Sequence, residues 1–122
     1  MIRVKICDPN MDLLRQAVMS LAKEIGAEFT NEIEDYYGNK TKVGLGIRNR
    51  IFNRGVGITV EDGVVRLKGD FFEIPRSRID ELQLGLVKHY TALATATALR
   101  NMGYQVQSTK VKESIYIKAV AW

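Results

Sequence analysis

The chain has little cysteine, histidine, proline or tryptophan: one, one, two and one among 122 residues. A single cysteine, Cys7, excludes a disulfide within the chain. Cys7 and one histidine are also too few for a four-ligand structural zinc site. Cysteine usage of this kind fits a reducing compartment, so a cytoplasmic location is expected. No apolar run reaches 18 residues without a charge, and Arg3 and Lys5 interrupt the first residues. Neither a membrane span nor a signal peptide is therefore predicted, and no membrane partner. Low-complexity segments, proline-rich linkers and charge runs are missing as well, so residues 1–122 read as one domain.

Catalytic signatures are equally scarce. There is no Gly-Lys-Ser or Gly-Lys-Thr phosphate loop, and Gly44-x-Gly46 lacks the third glycine and the following helix of a dinucleotide fingerprint. No EF-hand spacing occurs among the acids, and no nucleophile motif surrounds a serine. No metal and no cofactor is expected, no catalytic residue can be named, and an enzyme is the less favoured reading.

What is present is enough apolar sequence for a core, 46% of residues, with 26% charged. A chain of this length buries roughly two-thirds of its unfolded surface, so it needs no staples. The net charge of +4 is unevenly spread. Residues 41–60 carry four bases and no acid, and residues 82–122 carry five bases and one acid, whereas the two remaining blocks are acid-rich. Such blocks permit an anionic partner on one face.

The pattern predicts the order β-α-β-β-β-β-α-β-β. Ile2, Val4 and Ile6 alternate with Arg3 and Lys5, the period of a strand with one buried face. Asp8 is placed as a helix cap with Pro9 at the first helical position. Leu14, Val18, Leu21 and Ile25 then recur at helical spacing up to Gly26. Residues 27–33 read as a short strand and Gly38-Asn39 as a turn. In residues 41–48 the alternation puts Val43, Leu45 and Ile47 on one face. Asp62-Gly63 is the strongest hairpin signal, since a type I′ turn needs positive φ at both central residues. It predicts that Glu61 faces Val64, Val60 pairs with Val65, and Ile58 with Leu67.

Ser77-Arg78-Ile79-Asp80 resembles a capping box that opens a helix running to Met102, with Ile79, Leu82, Leu86, Tyr90 and Leu93 as its buried stripe. Its small-residue stretch, residues 91–98, is expected to approach a glycine-bearing sheet face made by Gly44, Gly46 and Gly57. Residues 104–109 and 114–122 read as two further strands joined by a loop at 110–113. The last is apolar on both faces and is expected inside the sheet. The fold class predicted is α+β: a two-layer sandwich, a mostly antiparallel sheet with both helices on one face.

Three binding readings follow. The adjacent rings of Phe71 and Phe72, beside Asp70, cannot both enter one core, and point to a protein partner or a homo-oligomer. This non-enzymatic protein-binding module is the leading reading. The loop Arg48-Asn49-Arg50-Ile51-Phe52-Asn53-Arg54 offers Arg48, Arg50 and Arg54 to phosphates and Phe52 to a base, which makes nucleic acid the alternative partner, with Lys110, Lys112 and Lys118 in support. A solvated loop with Ile51 and Phe52 folded onto the core is the competing account of the same residues. Last, the bare face at Gly44, Gly46 and Gly57 could floor a small-ligand pocket.

Around the Asp70 segment the chain resembles the Ycf35-like family, also called DUF1257, small proteins of cyanobacteria, plastids and other microbes. The resemblance rests on Leu21-Ala22-Lys23-Glu24-Ile25-Gly26, on Val56-Gly57-Ile58 through Asp62-Gly63 to Gly69-Asp70-Phe71-Phe72, on His89-Tyr90, and on Gly103-Tyr104-Gln105-Val106 with Ile115-Tyr116-Ile117 and Trp122. It covers nearly the whole length. Family members usually carry an Asp-Trp-Trp-like turn where this chain has Asp70-Phe71-Phe72. The resemblance implies a fold and no catalytic residues.

Overall fold

A computed structural model describes residues 2–111 and 114–121, with residues 104–111 and 114–121 described by their backbone alone. The elements follow the predicted order: β1 (Ile2–Cys7), α1 (Met11–Ile25), β2 (Glu28–Glu34), β3 (Lys40–Arg48), β4 (Val56–Glu61), β5 (Val64–Lys68), α2 (Arg76–Asn101), β6 (Tyr104–Val111) and β7 (Ser114–Ala121). The fold is α+β. Five strands form an antiparallel sheet in the order β1-β5-β4-β3-β2, and α1 and α2 share one core with one of its faces.

The core follows from two periods meeting. Helical spacing aligns Leu14, Val18 and Leu21 of α1 and Ile79, Leu82 and Leu86 of α2. Alternation aligns Val4 and Ile6, Val65 and Leu67, Val56 and Ile58 on the facing side of the sheet. Tyr90 and Leu93 continue the helical stripe, partly buried. No polar or charged residue among those described is buried in this core. The helices meet at Gly85, where an added Cβ would lie 2.7 Å from the Leu21 side chain.

The β4–β5 hairpin has the predicted register: Glu61 opposite Val64, Val60 opposite Val65, Ile58 opposite Leu67. Asp62 and Gly63 both have positive φ, 53° and 74°, as a type I′ turn demands. α1 ends at Gly26 in the left-handed conformation, φ 65°.

Several local expectations are overturned. The cap of α1 is Asn10, whose side chain accepts from the N–H groups of Asp12 and Leu13 at 3.0 and 3.1 Å. Asp8 lies two residues before the cap at φ 47°, where its own N–H donates to the Gly63 carbonyl at 2.6 Å and ties the end of β1 to the hairpin. α2 begins at Arg76, directly after Pro75, so Ser77 lies inside the helix and forms no capping box. Asp80 pairs instead with Arg76 at 3.1 Å.

β3 breaks its alternation. Thr30 faces Gly46 but Glu32 faces Lys42, so three residues of β3 stand against Asn31. This bulge moves Val43 off the Leu45 and Ile47 face and onto the glycines: an added Cβ would lie 2.9 Å from Val43 at Gly46 and 2.8 Å at Gly57. Val43, and not α2, covers those two glycines. The close backbone neighbours of α2 are α1, β1, β6 and β7.

β7 does not enter the main sheet either. It pairs with β6 in a separate two-stranded sheet, from Tyr104↔Ala121 to Val111↔Ser114, so Lys110 and Val111 belong to a strand rather than a loop. Lys112, Trp122 and the side chains of Lys110 and Lys118 lie outside the described residues.

The Val43 placement yields a paired prediction. Gly57→Ala should lower stability by about 1–3 kcal/mol through overpacking against a stiff β-branched side chain. Adding Val43→Ala should recover much of that loss in denaturant titrations. Gly46→Ala should not be recovered in the same way, because its Cβ would also lie 2.8 Å from the Thr30 carbonyl oxygen. Equal rescue of both glycine variants would show that Val43 does not sit where described.

Candidate functional site

Three loops meet, and each is shaped by a short polar side chain. After β2, Asp35 accepts from the Tyr37 and Asn39 N–H groups at 2.9 and 2.8 Å and from the Asn39 side chain at 2.9 Å. With Gly38 at φ 84° this closes a tight turn that lifts Tyr36 and Tyr37 outward. After β3, Asn49 accepts from the Ile51 and Phe52 N–H groups at 3.0 and 2.7 Å, which turns Phe52 inward. After β5, Asp70 accepts from the Phe72 N–H at 3.0 Å, and its second oxygen accepts from the Tyr36 N–H at 2.7 Å. Asp70 therefore joins the first and third loops.

Arg54 brings in the second loop. Its backbone carbonyl accepts from the Glu34 N–H at 2.8 Å. Its guanidinium lies 4.0 Å from the Asp70 carboxylate and donates to the Phe72 carbonyl at 3.4 Å. It also sits 5.1 Å from the Tyr36 ring centroid, in cation–π range. Around it three rings stand edge to face: Tyr36 with Tyr37 at 5.4 Å and Tyr36 with Phe72 at 5.1 Å. Tyr36, Tyr37 and Phe72 are 53%, 85% and 58% exposed, large values for contiguous aromatics.

The electrostatics hold this arrangement in its charged form. N–H donation from Phe72 and Tyr36, and then the Arg54 charge, keep Asp70 below the ordinary aspartate value, although desolvation and the nearby Asp35 oppose this. Asp35 is lowered chiefly by Asn39, through its side chain and backbone. The two carboxylates and the one guanidinium of the patch are all engaged by groups within the loops, and what faces outward is aromatic surface.

The structure divides the sequence candidates. Asp70, Phe72 and Arg54, read from two separate segments, come together. Phe71 does not join them, because it packs against the core while Phe72 faces out. Arg48 and Arg50 stand apart from these three and border one shallow depression with Gly26, Glu28 and Asn53, where Arg48 pairs with Glu28 at 3.1 Å. Phe52, offered as a stacking platform, is 5% exposed in the core as the folded-back account expects, but Ile51, which that account also folded inward, is 40% exposed. The glycine face does not make one pocket floor. Gly46 and Gly57 lie under Val43, and Gly44 and Gly46 border a shallow depression with Phe29, Thr30, Asn31 and Leu45 in which Gly57 takes no part.

Tyr36 and Tyr37 were missed by the sequence reading of binding residues. The available signal was two aromatics directly inside an Asp-x-x-Gly-Asn turn, a place where no core can receive them.

Two other features lie outside the patch. A cleft of about 540 Å³ lies between α1, α2 and residues 49–52, with Leu21, Ile25, Phe52 and Leu82 among its lining and Arg78, Glu81 and Lys88 at its charged positions. His89 meets Glu24 across the helices at 2.9 Å. Among the described residues no group of three or more His, Cys, Asp or Glu side chains is placed to hold a metal ion. No described helix is long and apolar enough to cross a membrane. Comparison with family models, curated proteins and solved structures gives no match.

Both aspartates ionise more readily in the folded chain than in the unfolded one. Their contribution is therefore complete above the ordinary aspartate value and is lost as pH falls through the lowered folded value. Carboxyl NMR titration should place Asp35 and Asp70 below the chain's exposed aspartates. The Tyr36 and Phe72 amides should lose protection as Asp70 protonates. In Asp70→Ala the same two amides should exchange faster already at neutral pH, with the Asp35 turn protected as before.

Proposed function

We propose that this chain is a protein-binding module, not an enzyme, and that it docks its partner on the Tyr36, Tyr37 and Phe72 patch. The observation that carries the reading is the edge-to-face packing of two exposed rings, Tyr37 and Phe72, on a third, Tyr36, held by Asp70 and Arg54. Fixed aromatic rings bury large area at low conformational cost, which is what binding hot spots require. Because the charged groups of the patch already have partners within the loops, its best complement is another neutral aromatic surface. A second copy of the chain supplies one, through a two-fold interface that sets the same patch against itself.

The loop reading for nucleic acid gains no comparable support. Arg48 is engaged by Glu28, Arg54 is turned to Asp70, and Phe52 is inside. The resemblance to the Ycf35-like family stays a proposal, resting on the segments already quoted, and assigns no role to any residue.

Light scattering coupled to size exclusion, run from about 5 to 200 µM, tests the self-association form directly. The wild type should shift from monomer to dimer, and Tyr37→Ala with Phe72→Ala should hold it monomeric with an unchanged circular dichroism spectrum. Phe71→Ala should behave differently, lowering the melting temperature because its ring packs on the core. A wild type that stays monomeric throughout, or a double variant that still dimerises, would overturn the proposal.

A further inference from the structure

The face of the sheet turned away from the helices follows from the same alternation that builds the core. With Val65 and Leu67 inward, β5 turns Arg66 and Lys68 outward, and with Val4 and Ile6 inward, β1 turns Arg3 and Lys5 outward. The ladder sets Arg3 directly opposite Arg66. Lys68 lies opposite Gly57, and Gly57 opposite Gly46, so beside the cations the floor is backbone with Val43 over it. The acid near this group is Glu61, whose carboxylate stands 3.7 Å from Arg66. The β6–β7 hairpin finds its close backbone neighbours on α2, away from this face.

Two features of the cluster are unfavourable in the free chain. Like charges directly opposite across a ladder destabilise a sheet. Arg66 Nε and the hydroxyl of its cross-strand neighbour Thr59 are both buried without a hydrogen-bond partner. An anion lying along β5 would relieve the repulsion and give the exposed part of the Arg66 guanidinium, though not its buried Nε, an acceptor stronger than its distant pairing with Glu61. Arg66 and Lys68 are spaced about 6.8 Å apart along the strand, with β1 about 4.8 Å to one side. This suits a line of anionic groups better than a single small anion.

We propose that this basic β1–β5 face docks the phosphate backbone of duplex nucleic acid. The duplex is favoured over a single strand because Arg3, Lys5, Arg66, Lys68, Thr59, Gly57 and Val43 include no ring on which a base could stack. Contact with phosphates alone gives binding that is indifferent to base sequence and steeply dependent on salt. The surface is separate from the aromatic patch, so this proposal stands or falls independently of the protein-binding reading.

The test is fluorescence anisotropy of a labelled duplex of about 20 base pairs with the full chain, between about 50 and 200 mM salt. Four phosphate contacts predict a slope of log affinity against log salt of about −3.6, and Arg66→Gln with Lys68→Gln should flatten it by about 2. Glu61→Gln removes the acid from the patch and should tighten binding, a gain that misfolding cannot imitate. Arg48→Gln with Arg50→Gln should leave the slope unchanged. No binding at the lowest salt, a slope unaffected by the β5 pair, or loss of binding in the Arg48 and Arg50 variant would each overturn the proposal. So would binding to anionic lipid vesicles without binding to the duplex.

Discussion

The register of the β4–β5 hairpin is the constraint on which the rest of the molecule depends. β5 is paired on both sides, to β1 and to β4, so its alternation sets what the sheet shows to each layer. A slip of one residue would carry Val65 and Leu67 to the open face and bring Arg66 and Lys68 beneath the helices. No described polar or charged residue is buried in the core, so that alternative would place charge where nothing can pair with it. Asp62 and Gly63, with positive φ at both positions, remove the slip by allowing one two-residue turn. The Asp8 N–H on the Gly63 carbonyl then anchors the end of β1 to the same turn.

Where local chemistry alone decides, the sequence was readable. The hairpin register, the Gly26 stop, both helical stripes and the order of elements all depend on residues close in the chain. Where two local solutions compete, it was not. Asp8 and Asn10 are both good caps, and the helix starts late enough to take Asn10 while the Asp8 backbone is held to Gly63, far away in sequence. Ser77 has a suitable partner in Asp80, but Pro75 starts the helix two residues earlier and Arg76 takes that carboxylate. β3 is the plainest case. Val43, Leu45 and Ile47 alternate cleanly, yet Gly46 and Gly57 leave a gap that one β-branched side chain can fill if the strand bulges. An apolar strand such as β7 signals burial without saying against what, and it pairs in a second sheet.

The candidate site was half legible for a related reason. Asp70, Phe72 and Arg54 each stood out within their own segments, but nothing in the chain shows that residues 36, 54 and 72 meet. That meeting depends on bonds across loops: Asp70 to the Tyr36 N–H, Arg54 to the Phe72 carbonyl, and the Arg54 carbonyl to the Glu34 N–H. A cluster of arginines in sequence suggested a shared anion, whereas in space each of two arginines found its own carboxylate. Charge counts along a chain cannot distinguish these outcomes, because pairing is settled by the fold.

The aromatic patch and the basic face differ in what holds them, and this separates their behaviour. The patch is made by loops, and its joint is one carboxylate that serves two N–H groups and one guanidinium. Protonating or removing that group loosens Tyr36 and Phe72 while leaving every strand pairing in place. The basic face is made by the ladder, with Arg3 and Arg66 held opposite each other by backbone bonds that no side chain supplies. It persists as long as the sheet does, and loses strength through salt screening rather than through loss of shape. Acid therefore acts on one surface and ionic strength on the other, so a partner on the patch and a polyanion on the face can be gained or lost separately.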